Sequence, residues 1–234
     1  MTPGASRKPD QLVFDLPHRQ AQGAEDFLVS GSNEAAVELV DGWPGWSHPA
    51  YVVTGPEGSG KSHLTHVWST KSGAPRIAAT QLAEDAITAF ERNAVLAVED
   101  IDRGLHDERV LFHLLNLARE KRGAILLSSR ALPGEIAIAL PDLRSRLRAM
   151  PLVRIAPPDD ALLKAVLVKL FADRQLTIEP HVIATLALHM DRSMAAAGRL
   201  VEETDRLALA RRQKVTRALA AEALANLARD RETE

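Results

Sequence analysis

Apolar positions follow two different rhythms along this chain. From about residue 50 to residue 156, short apolar runs alternate with stretches of helical spacing. Ala50–Thr54, Ala94–Val98, Ala124–Ser128 and Leu152–Ile155 read as buried strands, and Arg76–Ala79 as a weaker one. Between them the spacing predicts helices over Lys61–Thr70 and Gln81–Phe90, and a third, capped by Asp107, that runs to Lys121. Strands that alternate with helices imply a parallel sheet with right-handed crossovers. At Pro157-Pro158 the rhythm changes. Asp159 can cap a helix through Arg174, Pro180 opens one to His189, Ser193 caps one to Arg212, and Thr216 starts a fourth. No strand pattern follows residue 156. The expected fold is an α/β core with a parallel sheet, then a small all-helical domain. The expected division is a flexible tail over 1–20, the core over 21–156 and the helical part over 157–234.

The 234 residues are 46% hydrophobic and 26% charged, with a net charge of -2, enough apolar content for a real core. No run approaches the roughly 18 apolar residues of a membrane helix, and the first ten residues lack the apolar stretch of a secretory signal. Cysteine is absent, which excludes disulfides and thiolate metal sites. The near-neutral charge argues against strong direct DNA binding, and the few aromatics argue against a base-stacking surface. The expected location is the cytoplasm.

Gly55-Pro-Glu-Gly-Ser-Gly-Lys-Ser62 fills every fixed position of the phosphate-binding P-loop pattern, between a strand and a helix. Gly58 and Gly60 give the backbone conformations that a side chain forbids. The loop's N–H groups, Ser59 and Gly60 among them, can then turn inward on phosphate oxygens beside a helix N-terminus. Lys61 is placed for the β- and γ-phosphates, Ser62 for Mg²⁺, and His63 adjoins them. The expected cofactors are ADP or ATP and Mg²⁺.

The buried run Val95–Val98 ends in Glu99-Asp100. One carboxylate can hold Mg²⁺ and the other can polarise a water. The order is Glu then Asp, which puts the longer side chain, Glu99, at the metal position and the shorter, Asp100, at the base position. A displacement of that size can cost on the order of 10²-fold in rate, so binding is the firmer expectation than hydrolysis. Ser129, after the next strand, is a candidate for sensing the terminal phosphate. Ser128-Ser129 is equally consistent with turn chemistry.

The order of these motifs resembles the DnaA family of AAA+ proteins, over about residues 25 to 225. Phe27-Leu-Val-Ser-Gly-Ser-Asn33 is similar to the segment that walls the family's adenine pocket, which implies that Phe27, Leu28 and Asn33 contact the base. Leu140-Pro-Asp-Leu-Arg-Ser-Arg-Leu147 resembles the box that carries the arginine finger, at Arg146, with Arg144 as its neighbour. Ile155-Ala-Pro-Pro158 resembles the passage into the family's lid. Gln11-Leu-Val-Phe-Asp-Leu16 is similar to the clamp-binding motif of short family members that lack the DNA-binding domain. Gln11, Leu12, Phe14 and Leu16 would be its anchors. The resemblance implies two partners, DnaA itself and the β sliding clamp of DNA polymerase III, and self-association is compatible with it. One position departs: matching Asp205-Arg206 to the family's third lid helix puts Gly198 at the second sensor position, with Arg199 about 100° around the helix. Either the helix starts in another register or Arg199 makes no such contact.

Two other classes remain to be weighed. A helicase-loader-type ATPase on single-stranded DNA needs a basic, salt-sensitive surface. A small-molecule P-loop kinase has no use for an Arg146-type finger or a four-helix lid. The basic stretch around Arg211-Arg212 lies among acidic neighbours and reads as a solvated face. Trp43 and Trp46, in a Gly/Pro loop, pack either near the nucleotide or over the core.

Overall fold

The structure is a computed structural model that describes residues 28–232. Five parallel strands form one sheet in the order β2-β3-β4-β1-β5. They are β1 (Ala50–Thr54), β2 (Arg76–Ala78), β3 (Val95–Glu99), β4 (Ala124–Ser129) and β5 (Leu152–Arg154). β4 is buried along its whole length and β3 over its first four residues, as a sheet covered on both faces requires.

Alternate residues send their side chains to opposite faces. Val52, Leu96, Val98, Ile125 and Leu127 pack with α3 (Asp85–Asn93), α4 (Glu108–Glu120) and α5 (Pro141–Ala149). Val53, Ala97 and Leu126 pack on the other face with α1 (Glu34–Asp41) and α2 (Lys61–Ser72). On that face Trp68 of α2 is fully buried. The Trp46 ring stacks on it at 5.1 Å between centroids, and Trp43 meets it edge-on at 6.5 Å. The Trp43–Trp46 loop therefore covers this face of the core.

Beyond the sheet, α6 (Asp160–Asp173), α7 (Pro180–His189), α8 (Met194–Arg211) and α9 (Arg217–Glu232) close around a hydrophobic cluster of their own. Leu163, Leu167, Phe171, Ile183, Leu200 and Val201 form its centre. The caps are those the sequence implies: Asp159 accepts from the Leu162 N–H, Ser193 from the Ala196 N–H and Asp107 from the Arg109 N–H.

Three local differences from the sequence reading have physical causes. The helix expected over Gln81–Phe90 is split into a 3₁₀ turn at Ala79–Gln81 and α3. The His106 N–H donates to the Ala79 carbonyl, and fully buried Leu82 is extended between the two pieces. α1 was not anticipated: only Ala36, Val37 and Val40 mark its buried face. α5 opens on Pro141 at its first turn and buries Leu143 and Leu147, one turn apart.

Candidate functional site

The site lies beyond the carboxyl ends of β3, β4 and β1, where parallel α/β sheets hold ligands. The phosphate loop leaves β1 and enters α2. Gly58 and Gly60 have φ of +70° and +101°, the left-handed region that glycine alone enters freely. A Cβ on Gly55 would stand 2.5 Å from the Ile155 carbonyl, so that position also demands glycine.

Lys61 is buried under the loop. Its Nζ donates to the Gly55 and Pro56 carbonyls at 2.8 and 2.9 Å. Burial lowers its pKa and Arg130 adds to that, while Asp100, Asp102 and Glu57 act the other way. Thr54 Oγ1 and Ser59 Oγ are buried with no hydrogen-bond partner among the described residues. Of the two, Ser59 borders an adjoining cavity, where a polar ligand or water can partner it.

Beside the loop is a cavity of about 430 Å³, lined mainly by apolar groups. Leu28, Asn33 and His63 form one wall with Ser59 and Gly60, and lid residues Val166, Met194 and Gly198 form the other. The size suits a small ligand with a planar apolar part. Asn33 fixes its own wall: its side chain accepts from the Ser30 N–H and donates to the Leu28 carbonyl. The lid meets the loop directly. The Met194 N–H donates to the Gly58 carbonyl at 2.7 Å, and a Cβ on Gly58 would come within 2.5 Å of the Ser193 Cβ.

The acids at and after the end of β3 each meet an arginine. Both Glu99 oxygens accept from Arg76 Nη2 at 3.1 Å. Asp100 has φ of +57°, its N–H donates to Ser128 Oγ, and its carboxylate pairs with Arg103 Nε at 3.2 Å. Asp102, absent from the expected site, accepts from the Arg130 N–H and from Arg130 Nε at 2.9 and 2.8 Å. Burial pushes the Asp102 carboxyl up, but the Arg130 hydrogen bonds outweigh it, and the group sits below the ordinary carboxylate range. Asp102 and Arg130 are the residues that sequence reasoning missed. They lie 28 positions apart, and no local pattern links them.

The Mg²⁺ that a P-loop implies meets a partial fit. Ser62 stands exposed in the first turn of α2. Glu99, the expected metal carboxylate, has both its oxygens on the Arg76 guanidinium. No group of three or more His, Cys, Asp or Glu side chains that could hold a metal ion occurs among the described residues.

The other expected residues fall as follows. Ser129 is fully buried and its hydroxyl donates to the Ala131 carbonyl at 2.7 Å. Arg146 is half-buried on α5 and held to α4. Its Nη1 donates to Asn116 Oδ1 at 2.6 Å, and its guanidinium lies 4.7 Å from the centre of the Phe112 ring. Arg144 is exposed. Arg199 is exposed too, and Gly198 takes the place on the cavity wall, so the structure does not bring Arg199 into the cavity. Phe27 and the Gln11, Leu12, Phe14 and Leu16 motif lie outside the described residues.

A five-stranded parallel sheet with a P-loop after its first strand and a four-helix lid over that loop is the AAA+ fold. Within that class, the chain is similar to the replication initiator DnaA. It matches domain III of the Thermotoga maritima protein with a TM-score of 0.72 at 18% identity, over 86% of this chain and 94% of that one. AMPPCP-bound DnaA from Aquifex aeolicus gives 0.64 at 20% identity, covering 79% of this chain and 64% of that one. In sequence, the chromosomal replication initiator protein DnaA of Cutibacterium acnes is 27% identical over 70% of this chain. The chain spans 38% of the length of that curated relative. No family model matches the sequence. No helix among the described residues is long and apolar enough to cross a membrane.

Proposed function

We propose that this chain is an AAA+ regulator that binds adenine nucleotide and promotes hydrolysis of DnaA-bound ATP in the bacterial cytoplasm, limiting replication initiation. This is the role of the short DnaA homologue Hda. The observation that carries the nucleotide part is the cavity itself. A complete phosphate loop, with a buried lysine under it and the partnerless Ser59 hydroxyl on the wall, borders an apolar pocket that the lid closes. A DnaA structure with AMPPCP bound has the same fold, which supports an ATP-like or ADP ligand. The loop N–H groups and Lys61 would hold the phosphates, and the walls at Leu28 and Val166 would hold the base.

The regulatory part rests on the DnaA likeness and on Arg146. A guanidinium from a neighbouring subunit can stabilise the charge that builds on a transferring phosphoryl group, by about 10³–10⁵-fold in rate. Arg146 would be that group, delivered to DnaA, with Phe112 and Asn116 setting its direction. Gln11, Leu12, Phe14 and Leu16 would dock the chain on the sliding clamp through a few apolar anchors.

The test has two layers. By calorimetry, Lys61→Ala should lose most of the affinity for ADP and ATP, since it removes a charge-assisted contact to phosphate. Unchanged affinity would falsify the nucleotide site. Single-turnover loss of labelled ATP from DnaA, with clamp loaded on DNA, then tests the regulatory role. Arg146→Ala should abolish the stimulation and Arg144→Ala should keep it. Gln11→Ala with Phe14→Ala should lose clamp capture in a pull-down. Stimulation that survives Arg146→Ala overturns the finger assignment.

A second reading has one observation behind it. The chain also shares its fold with a DnaA structure bound to AMPPCP and single-stranded DNA, at a TM-score of 0.62. A DNA-associated ATPase would bind labelled single strands with a steep salt dependence. Absence of such binding at low salt removes that reading.

A further inference from the structure

Arg76 projects from the edge strand β2 toward the end of β3. Its Nη2 lies 3.1 Å from each Glu99 oxygen, and its Nη1 lies 3.3 Å from His66 Nδ1 on α2. The pair lies at the surface, with Glu99 the more covered partner: the side chains are 34% and 19% exposed. Glu99 is not alone in being engaged. Asp102 gives both its oxygens to Arg130, and Asp100 gives one to Arg103. Each carboxylate that follows β3 toward the loop is therefore matched by its own arginine.

This matters for divalent cations. Mg²⁺ needs near-ideal octahedral oxygen geometry, and in phosphate sites it relies on one or two protein carboxylates besides the phosphates. A guanidinium is always charged and cannot be neutralised by losing a proton. An arginine that engages both oxygens of a carboxylate thus competes with the metal for the same lone pairs. The positive charge a nucleotide requires is already present in Lys61, held under the loop by the Gly55 and Pro56 carbonyls.

We propose that this site takes adenine nucleotide largely without a divalent cation, because Arg76 withdraws Glu99 from metal binding. The proposal rests on the reading of the loop and cavity as a nucleotide site. In this arrangement the chain holds its nucleotide as a structural ligand. Arg76 is the residue that sets this behaviour, although it does not line the cavity.

The experiment compares ADP and ATP binding by calorimetry in Mg²⁺ and in EDTA, for the full chain and for Arg76→Gln and Arg76→Lys. The parent affinity should change by less than about threefold between the two buffers, and Arg76→Lys should follow it. Arg76→Gln frees Glu99, so its affinity should become Mg²⁺-dependent by about tenfold or more. Mn²⁺ paramagnetic resonance on the nucleotide-loaded proteins reads the metal directly: weak retention in the parent, stronger in Arg76→Gln. A parent that loses tenfold or more in EDTA overturns the proposal, by itself and even if Arg76→Gln fails to fold. So does a folded Arg76→Gln variant with the parent's metal response. Absence of nucleotide binding in both buffers is a different result, and it removes the nucleotide reading along with this one.

Discussion

Asp102 is only 8% exposed at its side chain, and both its oxygens serve Arg130. Its folded pKa is depressed, so its contribution to stability is complete above the ordinary carboxylate range. That contribution fades as pH falls through the folded value. Thermal midpoints of the parent and Asp102→Asn should therefore differ at neutral pH and converge once the pH has fallen below the lowered folded value. A gap that stays constant down to acid would show that the carboxylate charge is not what stabilises this corner. The same corner shows what a sequence can and cannot reveal. Gly58, Gly60, Lys61 and Ser62 are legible because the loop's chemistry is fixed within eight consecutive residues. The partners of Glu99 and Asp102 are not, since Arg76 comes from β2 and Arg130 from just after β4, and only the sheet order brings them near. The Arg146 box is readable as a motif, yet its anchorage on Phe112 and Asn116 is a property of how α5 packs on α4.

Between elements, the contact with most bearing on the site is the seam of the phosphate loop with the first turn of α8. The Met194 N–H reaches the Gly58 carbonyl, and Gly58 has no room for a Cβ because Ser193 is there. Gly58→Ala should displace the lid and weaken nucleotide binding by calorimetry. It also adds backbone strain of about 1–2 kcal/mol at its positive φ. Adding Ser193→Gly removes the opposing Cβ and should restore part of the affinity, at the cost of the α8 cap, about 1 kcal/mol or less. A double variant no better than Gly58→Ala alone would mean that backbone strain, not the seam, is responsible. Caps made the lid helices easy to place, because Asp159 and Ser193 are local signals. The split before α3 was hidden, since it depends on a bond from His106, more than twenty positions along the chain.

At the scale of the molecule, the hydrophobic clusters on the two faces of the sheet and the one inside the lid meet around the cavity beside the phosphate loop. A ligand that touches Leu28 and Asn33 on one side and Val166 and Met194 on the other bridges them. Binding to the folded state alone adds about 2.7 kcal/mol at a hundredfold excess over Kd. The tryptophan stack makes this coupling visible. The chain has three tryptophans, at 43, 46 and 68, and all belong to the stack that covers the α2 face of the sheet. Their emission is therefore an optical probe of the core alone, blind to the lid, whereas far-ultraviolet circular dichroism is weighted toward helices from both parts. In a denaturant titration without nucleotide, the two signals should trace separate transitions; with saturating ADP they should merge. Coincident curves in the nucleotide-free protein would instead mark the core and lid as one cooperative unit from the start. In that case the buried indole of Trp68 would report the unfolding of the whole chain.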